Sequence, residues 1–249
     1  VKHVVLVGAT DGIGRALATE YVRRGWRVGI VGRDPAKNEW VRGELQDEEP
    51  MGWVVTVVCD VQDPERIGPA FEEILQALGQ IDLFVYCAGT MPPYGTTLEE
   101  RLASIDPILG VNVSGALRFL ELAADYLEAT GRGHLAAIGS IAGERARKGH
   151  PVYGASKAAL HQYLGGLRAR LHGTGVRATA IKPGWVRTRM LGPGPSGSRL
   201  TISPDRAARA IVRGLERGRD SFFVPWWWGV VAMGLRLLPT GLFKRFSPP

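Results

Sequence analysis

The sequence predicts an α/β fold in which a parallel β-sheet is covered by helices on both faces. Three observations carry this. Short apolar runs alternate with helical stretches along almost the whole chain, the pattern of βαβ units. The runs are rich in Val and Ile ("HVVLVG", "RVGIVG", "WVVTVVCD"), as strands buried on both faces require. The 249 residues, 45% hydrophobic and 22% charged, show no long repeat and no linker-like shift in composition, so a single domain spanning 1–249 is expected.

In chain order, "HVVLVG" reads as the first strand, and a glycine-punctuated turn leads into the helical "RALATEYVRRG". "RVGIVG" is the second strand and "PAKNEWVRGELQDEE" its helix; "WVVTVVCD" is the third and "PERIGPAFEEILQALG" its helix. After the fourth strand, "IDLFVYCAG", a helical region runs from about Leu98 to Ala129 with an interruption expected near Pro107. "HLAAIGS", the helix of "VYGASKAALHQYLGGLRARLH" and "VRATAIKPG" come next as fifth strand, helix and sixth strand. A flexible loop is expected over Gly192–Ser198. Ser203 reads as the N-cap of "SPDRAARAIVRGLERG", with Pro204 at its first position. "SFFVP" is a short seventh strand, and an apolar tail over 222–246 ends the chain.

The net charge is +7, which favours anionic company such as a phosphorylated cofactor, an acidic carrier or a membrane surface. No dense Lys/Arg run with interleaved aromatics is present, so nucleic acid is not an expected partner. The two cysteines, Cys59 and Cys87, end strand-like runs and read as buried thiols rather than a disulfide framework, which makes a cytoplasmic setting the expectation. No signal-peptide pattern precedes the first strand, and no metal site is expected.

"LVGATDGIGRAL" places Gly8, Gly12 and Gly14 between the first strand and its helix. Glycines there let the backbone approach a pyrophosphate, and the helix N-terminus offers free N–H groups. The G-x-x-x-G-x-G spacing is also that of a plain turn; its place between strand and helix favours the cofactor. Asp60, at the end of the third strand, is either an acceptor for an adenine amino group or a turn-starting residue. At the end of the second strand, Gly32 stands where an acid would bind a ribose 2′-hydroxyl, and Arg33 comes right after it, which favours NADP(H) over NAD(H); Asp34 complicates that reading. Tyr153 and Lys157 share a helix face at i and i+4. An ammonium one turn from a phenol stabilises the phenolate, which suits an acid–base pair acting on a carbonyl. Ser140 lies thirteen positions before Tyr153 at a strand end, and Asn112 stands in an apolar helical stretch where Asn is a mediocre choice.

Taken together, "GATDGIG", "CDV", "CAG", "VNVSGAL", the "GS" before the tyrosine, "YGASK" and "PGWVRT" resemble the compact, single-domain short-chain dehydrogenases/reductases, from Lys2 to about Val224. The resemblance implies a Rossmann-like, doubly wound seven-stranded sheet in order 3-2-1-4-5-6-7 and a nicotinamide cofactor. It implies an oxidoreductase that interconverts a carbonyl and an alcohol. Tyr153 would be the acid/base and Lys157 would lower its pKa and hold the nicotinamide ribose. Ser140 would orient the carbonyl, and Asn112 would hold a water linking Lys157 to solvent. The cofactor would be met by Gly8, Thr10, Asp11, Gly12, Ile13, Gly14, Arg33, Asp60, Val61, Cys87, Ala88, Gly89, Tyr153, Lys157, Pro183, Gly184, Val186 and Thr188. Two positions depart from the family pattern: Val7 replaces the usual Thr, and Cys87 stands where an Asn often braces the loop. Two rival classes remain in view, a dinucleotide-binding redox sensor without turnover and a sugar-nucleotide epimerase or dehydratase. The presence of all four polar residues weighs against the first, and the glycine spacing with the absence of a sizeable C-terminal substrate domain weighs against the second.

The substrate is the least specified element. Arg145, Arg147 and Lys148 border the expected pocket, either as a solvated basic loop or as contacts for an acidic group, and Trp185 with 190–200 is expected to form a lid. The apolar tail suggests a bulky or lipid-like alcohol or ketone. Its uninterrupted apolar run, Phe222 to Leu235, is too short to span a bilayer, and Pro239 separates it from the last residues of the chain. Packing beside the pocket or a second subunit is one expectation; peripheral contact of 226–246 with the inner face of a membrane is the other, since Arg236, Lys244 and Arg245 are its only charges. A homodimer or homotetramer is implied by the resemblance alone.

Overall fold

The computed structural model describes residues 1–49, 52–145, 147–192, 198 and 200–246. Seven parallel strands form one sheet in the order β3-β2-β1-β4-β5-β6-β7, as the resemblance implies. In chain order the first units are β1 (His3–Val7), α1 (Gly12–Arg23), β2 (Arg27–Gly32), α2 (Pro35–Glu48), β3 (Val54–Val58), α3 (Pro64–Leu78) and β4 (Leu83–Tyr86). Next are α4 (Leu98–Ala103), α5 (Ile105–Leu109), a π-helical turn (Gly110–Gly115), α6 (Ala116–Thr130) and β5 (Gly133–Ile138). After α7 (Pro151–Arg170) and β6 (Val176–Pro183) come α8 (Pro204–Glu216), β7 (Ser221–Val224), α9 (Trp228–Leu237) and α10 (Thr240–Phe246).

The strands are buried on both faces, and alternate residues serve different cores. Val5 and Val7 of β1 pack with Phe71 and Ile74 of α3, Phe119 of α6 and Leu160 of α7. Val4 and Leu6 point the other way, to Leu17 of α1, Val41 of α2 and Ile211 of α8. Each fully buried aliphatic side chain contributes roughly 1.5–3 kcal/mol, so the two cores hold the sheet from both sides. Helix starts obey the expected chemistry: Asp34, Asp63 and Ser203 cap α2, α3 and α8, each with a proline at the first helical position.

The interruption expected near Pro107 falls at Ser104. Pro107 sits in the first turn of α5, where the missing N–H costs little. The helix then widens into the π-helical turn, which Tyr86 secures by donating its hydroxyl proton to the Val111 carbonyl at 2.7 Å. The run Leu98–Thr130 is long and apolar enough to cross a membrane, yet Phe119, Leu120, Ala123 and Leu127 are fully buried against the sheet and its helices. The loop expected over 192–198 lies mostly outside the described residues.

His134 of β5 is 7% exposed and hydrogen-bonded at Nε2 to Thr179 Oγ1, 2.7 Å away. Thr179 in turn donates to the Arg219 carbonyl, so the imidazole is the donor to Thr179. Burial, reinforced by the charge of Arg177, lowers its pKa to about 4. Between pH 6.5 and 4 the unfolded chain therefore binds the extra proton and the folded chain does not. This stability is present above pH 6.5 and is lost as pH falls through 4, by about 3 kcal/mol for a shift of that size. Thermal unfolding monitored from pH 7.5 to 4.5 should show the midpoint falling with acid, and His134→Gln should flatten part of that slope.

Candidate active site

Because every strand is parallel, all seven carboxyl ends lie on one edge, and the crevice opens between β1 and β4, where the strand order reverses. The first loop closes tightly on that edge. A Cβ on Gly8 would stand 2.6 Å from the Ala88 backbone, and one on Gly14 would stand 2.4 Å from the Gly8 carbonyl oxygen. Gly8 also has φ +84°, a left-handed value that favours glycine. Cys87 takes the expected Asn position. Its N–H bonds the Val7 carbonyl at 2.8 Å, and its small side chain leaves room for Gly14. Val7, the other departure, is fully buried in the sheet core.

Asp11 caps α1 through the Gly12 N–H at 2.7 Å, and Arg189 holds its other oxygen at 2.9 Å. Thr188 stands against Gly12, so the segment after β6 folds back over the glycine loop. Ile13 and Gly14 occupy the first helical turn, whose N–H groups have no intrahelical acceptor. Asp60 caps its own turn by accepting from the Gln62 N–H at 3.0 Å, and Val61 packs where a Cβ on Gly115 would be. Arg33 is exposed and free of side-chain partners among the described residues, whereas Asp34 is occupied in capping α2. Asn38, which sequence reasoning missed, is 1% exposed and donates to the Gly32 and Val57 carbonyls. Its Oδ1 lies 2.2 Å from where a Gly32 Cβ would be, so no acidic side chain fits at that position.

The four polar residues singled out by pattern converge on this edge. Ser140 leaves β5 in a 3₁₀ turn, with Oγ accepting from the Ala142 N–H at 3.1 Å. Tyr153 and Lys157 stand on α7, and the Lys157 Nζ lies 5.8 Å from the centre of the tyrosine ring. Lys157 is 3% exposed and donates to the Ile138 carbonyl at 2.9 Å. Burial brings its pKa down to about 8, against a small opposing effect of Cys87, whose own thiol is pushed up to about 12 by burial. Asn112, fully buried in the π-helical turn, accepts from the Thr90 N–H and donates to the Thr90 carbonyl and to Ser156 Oγ. A Cβ on Gly89 would lie 3.4 Å from Lys157 Nζ and 3.5 Å from Asn112 Oδ1, so glycine there keeps the space between them open.

Burial raises the Tyr153 pKa, and what opposes this is hydrogen bonding to Ser140 and the charge of Arg147. Arg147 is a half-buried residue of the loop that the sequence left between solvated and functional. The Asn112 amide is engaged by Thr90 and Ser156.

The tail also belongs to this edge. Trp228 of α9 packs its indole where a Cβ on Gly184 would be, and its ring meets Trp185 edge-on at 5.4 Å. Met190 reaches over Gly89, with its terminal methyl 3.6 Å from the position of a Cβ there. The rest of the lid expected over 190–200 lies in part outside the described residues.

Residues 2–197 match the family described as short chain dehydrogenase. The chain belongs to that family, and it is an NAD(P)-dependent oxidoreductase. It is 35% identical over 252 residues to an uncharacterised oxidoreductase of Streptomyces coelicolor, covering 98% of this chain and 95% of that one. It is 32% identical over 216 residues to an uncharacterised oxidoreductase of Staphylococcus saprophyticus, covering 87% and 92%. A short-chain dehydrogenase/reductase from Burkholderia phymatum, solved in complex with NAD, shares the fold at TM-score 0.84 over 96% of both chains, with 20% identity.

Proposed function

We propose that the protein interconverts a bulky, apolar ketone and its alcohol using NADP(H), with Tyr153 as the acid/base. The observation that carries this reading is the convergence of Ser140, Tyr153 and Lys157 at the carboxyl edge beside an open, glycine-floored crevice. The glycine loop at the start of α1, the uncovered Arg33 and the space at Gly89 fit a dinucleotide laid along that crevice. When bound, the nicotinamide would supply or accept the hydride.

The chain's own residues do the rest. Tyr153 holds its proton at neutral pH, and the hydrogen bond to Ser140 and the charge of Arg147 work against the rise that burial causes, which favours release of that proton to a carbonyl oxygen. Ser140 orients the same oxygen. Lys157 and Arg147 supply positive charge that stabilises the phenolate left behind. Asn112 would hold a water that links Lys157 to solvent for its reprotonation.

The cofactor preference rests on Gly32 and Arg33. Asn38 fills the space an acidic 2′-hydroxyl acceptor would need, and the free guanidinium next to it suits a 2′-phosphate. The substrate class rests on Trp185, Trp228 and Met190 around the crevice. The groove lined by Ile67, Leu117, Leu122 and Tyr163, with α6 and α7 beside it, suits a two-fold partner in a homodimer or homotetramer. Peripheral membrane contact fits the tail. Trp226, Val230, Met233 and Leu237 are each more than 60% exposed, the last three share one face of α9, and there is no acid after Asp220. Both cysteines are free thiols, in keeping with a reducing, cytoplasmic setting.

With NADPH absorbance as readout and a panel of ketones of increasing size, Tyr153→Phe should lower kcat at least about 100-fold, and full activity in that variant would overturn the mechanism. Arg33→Ala should weaken NADPH at least roughly tenfold and leave NADH nearly unchanged, whereas equal loss for both would discount the 2′-phosphate contact. The protein should co-sediment with anionic vesicles at low salt and be released as salt rises; no binding at low salt removes the membrane reading.

A further inference from the structure

Behind Ser140 lies a buried charge cluster that the reaction scheme does not use. Glu144, four residues after Ser140, has a side chain only 1% exposed. Its carboxylate meets Lys182 Nζ at 2.8 Å, His161 Nδ1 at 3.5 Å and the guanidinium of Arg236. These partners come from β6, α7 and α9. Lys182 immediately precedes the Pro183–Gly184 turn, and His161 lies one helical turn beyond Lys157.

His161 touches Ser140 directly. The Ser140 N–H points to His161 Nε2 at 3.4 Å. The ring fills a slot floored by two glycines: a Cβ on Gly139 would lie 2.2 Å from Nε2, and one on Gly143 would lie 2.7 Å from Cε1. The turn that carries Ser140 is therefore wrapped around the imidazole. An acceptor at Nε2 requires a neutral ring with its proton on Nδ1, and Nδ1 is the atom that faces Glu144. The carboxylate thus selects the tautomer that Ser140 needs. The groups facing the ring are Glu144, Lys182, Lys157 and Arg236, and burial together with the three cations keeps it neutral.

Arg236 closes the cluster from outside, with its side chain 63% exposed. The next residue in the Ser140 loop returns the contact. Arg145 donates to the Leu235 and Leu238 carbonyls at the C-terminal end of α9, and its guanidinium lies 4.0 Å from the centre of the Phe243 ring. Two arginines thus cross between the catalytic loop and the tail.

We propose that Glu144 and His161 are positioning residues for Ser140, and that Arg236 makes the C-terminal helix part of the catalytic apparatus. This rests on the reading of Ser140 as the residue that orients the carbonyl. A carboxylate drawn out of water needs its cations to hold its place, and His161 needs the carboxylate to present Nε2. Loss of Arg236 would let the Ser140 turn drift, and a displacement of the order of 1 Å at a reacting group costs up to about 100-fold in rate.

The test compares Arg236→Ala and His161→Phe with the conservative Arg236→Lys and His161→Gln. Expected are kcat values lowered roughly tenfold in the first pair, NADPH affinity by fluorescence titration unchanged, and partial recovery in the second pair. Hydrogen exchange at the Ser140 amide should quicken about tenfold in His161→Phe, a readout that needs no substrate. Wild-type kcat in both disruptive variants, or a loss that tracks cofactor affinity, overturns the proposal. If the parent protein turns over no ketone, the reading of Ser140 has failed, and exchange alone then decides whether the cluster holds the turn: unchanged exchange overturns it.

Discussion

Lys157 is drawn almost wholly out of water at the carboxyl edge of a parallel sheet, and much of the surrounding structure answers that constraint. An ammonium in such a place must find acceptors or give up its proton. It finds the Ile138 carbonyl, at the end of β5, where the chain turns away into the Ser140 loop. Gly89 keeps the space in front of it clear, and Cys87 adds a nearly neutral neighbour in place of a polar one. The result is a lysine whose pKa falls to about 8. Tyr153, one turn earlier, moves the other way under the same burial and stays protonated. A single helix face therefore carries a phenol and an ammonium whose pKa values burial moves in opposite directions.

The same edge gathers charges from distant parts of the chain. Glu144 and Arg145 come just after Ser140, Lys182 lies near the end of β6, and Arg236 arrives from the tail. Burying one carboxylate among several cations compensates its desolvation and restrains three segments at once. The tail is held by this exchange and by Trp228 on Gly184. One face of α9 is spent on these contacts while Val230, Met233 and Leu237 remain outside.

Much of this was legible along the chain. The strand order and the convergence of Asn112, Ser140, Tyr153 and Lys157 were implied by ordered motifs whose spacing leaves few alternatives. The cap at Ser203 and the break at Pro239 are local events, readable from a few neighbouring residues. Asn38 was not legible: an asparagine early in a polar helix reads as solvated, and its burial depends on β2 and β3 ending beside it. The break near Pro107 was legible only to within a few residues, because the position of the proline relative to the helix start was not visible. His161 carried no signal either, since Gly139 and Gly143 form its slot only once β5 and α7 pack together.

The order of strands and helices, the glycine loop and the spacing of Ser140, Tyr153 and Lys157 were decided by the sequence, because each depends on periodicity or contact within one short stretch. The tertiary structure decided which charges are buried and whom they meet. Arg147, Glu144 and Arg236 look alike in sequence, as solvent-facing charges in a basic loop and tail. Only folding brings positions 144, 161, 182 and 236 within reach of one another, and desolvation at that meeting point is what turns ordinary surface charges into supports for the site.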